Sequence, residues 1–314
     1  MICVALFIIM PYLCYPNITN ANNKLLMENV YFKVAGHSFS ILTENRKQIL
    51  SYLPSYEPFL EATTPDEVLF EVLIIGPQNI YGKEVNRFSW DGSECIIYRG
   101  DEGYTFSLYP NGGKQACNMC TNNDFTTVFV SLAGTAEDAF VLNNFVMMTY
   151  AFASSSKKTL MIHASVVRTD GKGYLFLGKS GTGKSTHTRL WIESIENTDL
   201  INDDNPIVRI TDDGIVRVYG SPWSGKTPCY RNIQVPVGAF TKLRQASVNR
   251  IEKVETLSGF AMVLSSCSLM KWDEQIYNDI CDTVSDISLR TPVYLLDCLP
   301  DVSAAKLSYE TIRQ

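Results

Sequence analysis

Between residues 30 and 132, apolar and polar positions alternate in short runs separated by turn-forming residues. The runs at 31–34, 39–42, 68–75, 95–98, 104–109 and 127–131 are rich in β-branched and aromatic side chains, as half-buried strands require. Asp91-Gly92, residues 101–103 and Asn111-Gly112-Gly113 mark turns between them. The pattern changes at Thr135, which can cap a helix with Glu137 and Asp138 in its first turn. From 140 to 153 the chain is apolar almost all round, so the pattern predicts a helix over 135–154 buried in a core. Asn143 and Asn144 in its middle argue against a membrane span.

Beyond residue 159, strand-length runs recur at 160–167, 173–177, 199–202, 206–210, 215–219, 237–243 and 293–297. Helices are expected at 184–194, 255–269, 272–284 and 304–313. The fold class expected is mixed α/β, of the α+β kind. A mostly β module over 27–155 ends in the buried helix and is followed by a second part over 156–314.

Residues 1–26 stand apart. The run 2–15 is strongly apolar but lacks the positive start and small-residue cleavage site of a signal peptide, and it is short for a membrane helix. Met27 stands just before the first strand pattern, so 1–26 reads as an upstream extension from a start codon placed too early. Membrane attachment through 2–15 is the alternative to the cytoplasmic location otherwise expected.

Composition narrows the function classes. With 46% hydrophobic and 19% charged residues the chain is globular. A formal net charge of −6 and the lack of any basic run argue against a nucleic-acid partner, which needs clustered Lys and Arg. Nine cysteines form no even framework and read as reduced thiols. Cys117 and Cys120 have metal or redox spacing, but neither a second such pair nor a nearby His accompanies them.

The chemistry concentrates in the second part. Gly178-Lys-Ser-Gly-Thr-Gly-Lys184-Ser185 fits the phosphate-loop pattern, with a predicted strand before it and a predicted helix after it. Glycines 178, 181 and 183 let the backbone turn tightly, so its N–H groups and the helix start face an anion. The expected ATP-binding set is Gly178, Ser180, Gly181, Thr182, Gly183, Lys184, Ser185 and Thr186. Lys184 brings a full charge to the terminal phosphates, and Ser185 offers its hydroxyl to Mg²⁺. Asp203 and Asp204 end a short apolar run eighteen and nineteen residues after Ser185. Such carboxylates hold Mg²⁺ or take the proton of an attacking hydroxyl. A turn-rich segment, 219–232, carries Lys226 and Arg231 as isolated cations suited to neutralising transition-state charge. His187 lies in the first turn of the loop helix, either near the phosphates or facing solvent.

His163-Ala-Ser165, Gly171, the loop 178–185 and Asn202-Asp203-Asp204 together resemble the C-terminal domain of HPr kinase/phosphorylase, which is related to ATP-dependent phosphoenolpyruvate carboxykinase. Asn202-Asp-Asp-Asn-Pro206 and Ser221-Pro-Trp-Ser-Gly-Lys-Thr227 resemble uncharacterised bacterial members of that superfamily more closely. The resemblance spans roughly residues 159–245. It implies a phosphate loop lying over a mainly β core flanked by helices, with ATP and Mg²⁺. It implies that one of Asp203 and Asp204 contacts metal and the other acts as base, assigned here as Asp203 to metal and Asp204 to base. It also brings His163 near the phosphates. Thr186 stands where HPr kinase has a Glu, and the carboxykinase ligands for metal and oxaloacetate have no counterpart here.

The expected activity is therefore ATP- and Mg²⁺-dependent transfer of a phosphoryl group to a hydroxyl of a protein serine or small molecule. A carboxykinase-like or phosphorolytic reaction and a non-catalytic ATP sensor are the alternatives. The sequence leaves open the acceptor and whether copies of the chain associate into a homo-oligomer.

Overall fold

The computed structural model describes residues 27–76, 79–225 and 227–313. The expectations for 1–26 and for Lys226 lie outside these residues.

An eight-stranded sheet contains β1 (Glu28–Val34), β2 (His37–Thr43), β3 (Glu71–Ile74), β4 (Lys83–Trp90), β5 (Ser93–Arg99), β6 (Gly103–Tyr109), β7 (Cys117–Asn122) and β8 (Thr127–Ser131). Their spatial order is β1-β2-β3-β8-β7-β6-β5-β4. β3 pairs in parallel with β2 and with β8, while the other pairs are antiparallel. The helix α1 (Arg46–Tyr52) lies between β2 and β3, and α2 (Asp138–Ala153) follows β8. Asp138 anchors the start of α2 by accepting the N–H groups of Ala133 and Gly134 at 3.1 and 3.0 Å. Most of α2 is buried, as its all-round apolar pattern demands.

The rest of the chain builds a nine-stranded sheet and four helices. Its elements are β9 (Thr159–Met161), β10 (Ala164–Thr169), β11 (Lys172–Leu177), α3 (Lys184–Ser194), β12 (Asp199–Asn202), β13 (Ile207–Ile210), β14 (Val216–Tyr219), β15 (Gln234–Gln245), β16 (Arg250–Lys253), α4 (Thr256–Leu264), α5 (Glu274–Arg290), β17 (Val293–Cys298) and α6 (Val302–Ile312). β15 is the spine: its first residues pair antiparallel with β14, and its remainder pairs in parallel with β11 and β17. The result is a mixed α/β fold of the α+β kind.

One apolar cluster runs from Phe32, Phe39 and Phe106 through Phe145 and Tyr150 to Ile201, Phe240 and Val284. A second cluster, under α3 and α6, gathers Tyr174, Phe176, Trp191 and Leu296. Polar links join the two sheets as well. Asp273 caps α5 by accepting from the Ile276 N–H at 3.0 Å, and it also accepts from the Tyr104 hydroxyl at 2.6 Å and from Arg99 at 3.1 Å.

Three local readings change. β4 and β7 were not expected, because Lys83–Trp90 and Cys117–Asn122 carry polar residues without a clean apolar face. The run at 160–167 is two strands, β9 and β10, broken at Ile162 and His163. There the Ile162, His163 and Ala164 N–H groups go to the carbonyls of Pro206, Ser266 and Asp204. Cys117 and Cys120 lie three residues apart in one strand, so their side chains leave opposite faces. Burial raises the pKa of both thiols. Among the described residues, no helix is long and apolar enough to cross a membrane.

Candidate active site

The site forms where β11 hands over to α3. Leu177 ends β11 between Ala164 of β10 and Lys242 of β15. The chain then loops through 178–183 into the helix. Gly181 and Gly183 have φ of +79° and +105°, a region that penalises side chains bearing a Cβ, so the loop needs glycine at both positions. No side chain caps α3 at Gly183. The first N–H groups of the helix therefore lack a capping acceptor and carry the positive end of its dipole.

Lys184, only 8% exposed, folds back across this loop. Its ammonium donates to the Gly178 carbonyl at 2.9 Å, the Lys179 carbonyl at 3.3 Å and His163 Nε2 at 2.8 Å. Burial pushes its pKa below the ordinary lysine value, while the charges of Asp204 and Asp203 pull it back up. His163 bridges to the acidic side, with Nδ1 2.9 Å from Asp204 Oδ1. Since Nε2 faces an ammonium, the ring proton belongs on Nδ1, where it is donated to Asp204. The strand break at residues 162–163 is what turns His163 out of the β10 ladder and into this chain of contacts.

The two aspartates occupy different surroundings. Asp203 is 5% exposed. Its Oδ1 accepts from the Ser165 hydroxyl at 2.6 Å, and its Oδ2 is buried without a hydrogen-bond partner. A buried carboxylate oxygen left unsatisfied is costly unless a cation or donor completes it. Asp204 is more open, and its Oδ2 accepts from Asn205 Nδ2 at 2.8 Å. Asn202 holds the turn between them. Its amide donates to Ser221 Oγ at 3.1 Å and the Trp223 carbonyl at 3.2 Å, while its Oδ1 accepts the Asp204 N–H at 2.9 Å. The segment 221–225 packs directly on the aspartates, since a Cβ on Gly225 would lie 3.0 Å from the Asp203 carbonyl oxygen.

The structure thus brings Gly178, Gly181, Gly183, Lys184, His163, Asp203 and Asp204 together. Ser180 and Ser185 are exposed on the loop and first turn, with Thr182 and Thr186 half-buried beside them. Arg231 is not part of this group. Its guanidinium is committed to the Leu200 carbonyl and to Asp199, 3.0 Å away, at the opposite end of β12 from Asp203. The side chain of His187 turns neither to the 178–183 loop nor to solvent. It is 3% exposed, packed edge-on against Phe176 and hydrogen-bonded near Ser308 and Trp191.

Sequence reasoning passed over Lys242 and Gln245, and gave Ser165 no role of its own. Parallel pairing sets Lys242 opposite Leu177, and burial, with the nearby Lys179 charge, lowers its pKa. A lysine inside an otherwise apolar run of a central strand was the available signal. Gln245 Nε2 reaches the carbonyls of Gly181 and Thr182, both at 3.4 Å.

Burial lowers the pKa of His187 to about 4. The unfolded chain binds this proton near 6.5, so stability is full above that pH and falls between 6.5 and 4. A shift of this size corresponds to roughly 3 kcal/mol. His187→Gln, which keeps an acceptor for Trp191 but cannot titrate, should make that acid limb shallower when urea unfolding is followed from pH 7 to pH 4, the remainder coming from His37, whose pKa burial also lowers to about 4. An unchanged slope would remove His187 as a source.

Among the described residues, no cluster of three or more His, Cys, Asp or Glu side chains could hold a metal alone. The donor set fits a hard cation that completes its shell with phosphate oxygens and water, since Asp203 Oδ2 and the exposed Ser185 hydroxyl are oxygen donors flanking the loop.

Among solved structures, the Hpr(Ser) kinase/phosphatase from Coxiella burnetii is similar at 13% identity, covering 49% of this chain and 88% of that chain, with a TM-score of 0.30. No curated protein matches the chain. The family model described as "SynChlorMet cassette protein ScmC" matches residues 131–299. That match takes in more than half of the sequence, from the end of β8 across the loop and both aspartates to the end of β17, and the chain belongs to the ScmC family.

Proposed function

We propose that this protein binds ATP with Mg²⁺ at the 178–186 loop and transfers the terminal phosphoryl group to a hydroxyl acceptor. The observation that carries the reading is a pair of features near enough for the Asp203 charge to act on the Lys184 ammonium. One is a buried ammonium with an uncapped helix start. The other is a buried carboxylate oxygen with no partner.

Phosphoryl transfer leaves little covalent work for a protein, so catalysis rests on positioning and charge. The loop N–H groups and Lys184 bind the polyphosphate and stabilise negative charge as it moves towards the leaving ADP. Asp203 and Ser185 would hold the divalent cation, which would supply charge neutralisation to the phosphates. Ser165 keeps Asp203 in place through its 2.6 Å hydrogen bond. Asp204, more open and oriented by His163, takes the proton of the acceptor hydroxyl as its oxygen attacks phosphorus. The division of labour follows the surroundings: the buried carboxylate suits a cation, and the open one suits a mobile proton.

Asp203→Asn tests this directly. The variant should need at least tenfold more Mg²⁺ for half-maximal ATP turnover, with little change in nucleotide binding measured without metal. An unaltered Mg²⁺ requirement would rule Asp203 out as the ligand. Tight ATP binding with no transfer by the wild type would favour a nucleotide sensor instead.

A further inference from the structure

A cavity of about 630 Å³ adjoins the site, and His163, which contacts both Lys184 and Asp204, is part of its wall. Trp90, Phe106, Met147, Phe152 and Met161 are among the other lining residues, drawn from the first sheet, α2 and β9. Its size is that of a small-molecule pocket. No Asp, Glu, Lys or Arg lines it, and its polar groups are few: Asn86, Asn144, Ser268 and His163. Trp272 also lines it, and the Trp272 indole N–H is buried without an acceptor. An unpaired buried donor beside an apolar space is satisfied when a ligand supplies an oxygen or nitrogen lone pair.

We propose that this cavity holds the body of the phosphoryl acceptor, a neutral small-molecule alcohol with an aromatic or branched apolar frame. The frame carries one hydrogen-bond acceptor for Trp272, and its hydroxyl reaches Asp204 past His163. This assignment rests on the kinase reading above and adds the substrate class to it. The lining disfavours ionic acceptors such as dicarboxylates, because a charge here would be buried without a counter-charge. It equally disfavours polyols, whose hydroxyl groups would outnumber the partners available. The first sheet thereby gains a role, since β4, β5 and β6 contribute walls to the cavity.

The test uses the full chain and prodan, a neutral naphthalene ketone whose emission reports an apolar site. Prodan should bind saturably at one site per chain. 2-Naphthaleneethanol should displace it, while glycerol and free serine should not. Ala151→Phe, which places a ring in the cavity from α2, should weaken prodan at least tenfold. Trp272→Phe, which keeps the ring and removes the N–H, should weaken it several-fold. Neither change should alter the affinity for a fluorescent ATP analogue. With γ-labelled ATP and Mg²⁺, label should enter one or more of a panel of neutral aromatic alcohols with the wild type and not with Lys184→Ala.

Non-saturable prodan binding, or binding that both folded variants leave intact, overturns the site. Label in none of the alcohols that displace prodan overturns the acceptor assignment. Failure of the wild type to bind nucleotide while prodan binds normally overturns the kinase reading and the acceptor role with it, leaving only an apolar ligand site.

Discussion

Lys184→Ala should lower the proposed ATP-dependent phosphoryl transfer by about a hundredfold or more while the protein remains folded. The ammonium is held by two carbonyls of its own loop and by His163 Nε2, with no carboxylate in direct contact. Its burial disfavours the charge, which is therefore a cost to the free protein. A polyphosphate bound in the loop, as proposed, would give that charge its counterpart. Losing one preorganised donor at a developing negative charge typically costs about 3 kcal/mol or more, which corresponds to at least a hundredfold in rate. Because the lysine is strained electrostatically before it is used, its removal should leave the thermal midpoint unchanged or slightly raised. Steady-state ATP turnover and thermal unfolding on the same samples separate the two effects. Full turnover by the alanine variant would falsify the mechanism. A collapse of the thermal midpoint would instead make Lys184 a structural strut between Gly178 and His163.

The loop and the aspartate pair were legible in the sequence because their chemistry is local. The glycine-rich pattern at 178–185 spans eight consecutive residues, and Asn202-Asp203-Asp204 is a single turn. The roles of their neighbours were not local. His163 lies inside an apolar run that reads as one strand. Only the tertiary competition of Pro206, Ser266 and Asp204 for three successive N–H groups breaks that strand and turns the imidazole towards Lys184. Lys242 lies far from the loop in sequence and arrives beside it through parallel pairing, which no short-range pattern encodes. Arg231 shows the converse error. A cation in a turn-rich segment invites a role over the phosphates, yet Asp199, where β12 begins, takes it. His187 failed for a similar reason. Its position in the first helical turn says nothing about α6, whose Ser308 comes to meet it from more than a hundred residues away.

Fold legibility followed the same division. Strands with an apolar face, such as β6 and β11, were visible as runs. β4 was not, because it is an edge strand whose exposed polar residues mask its period. That edge is where Phe88 and Trp90 stack at 5.3 Å and form part of the cavity wall. The element hardest to read is thus one that shapes the space beside the site, because a wall needs only one or two apolar side chains.

Trp191→Ala should cost the fold about 3–5 kcal/mol, the range for deleting a large buried aromatic side chain. The indole is fully buried and makes ring contacts with Tyr174 and Phe176 of the sheet and Tyr309 of α6, at centroid distances of 5.3, 5.3 and 5.5 Å. Its N–H donates to Ser308 Oγ at 2.9 Å and to His187 Nε2 at 3.2 Å. It is therefore the wedge that fixes α3 between the sheet and α6. Against a total stability of about 5–15 kcal/mol typical of folded domains, such a loss leaves little reserve. The consequence extends to the site, since α3 begins with Lys184 and its register positions the loop. Trp191→Phe keeps most of the packing and forfeits the N–H, so it should cost far less, about 1–2 kcal/mol. Urea unfolding of the three proteins at pH 7 measures the ladder. If alanine and phenylalanine prove equally costly, the hydrogen bonds to Ser308 and His187 hold α3 rather than the ring. If neither costs more than about 1 kcal/mol, α3 is anchored elsewhere and the link from Trp191 to the loop is lost.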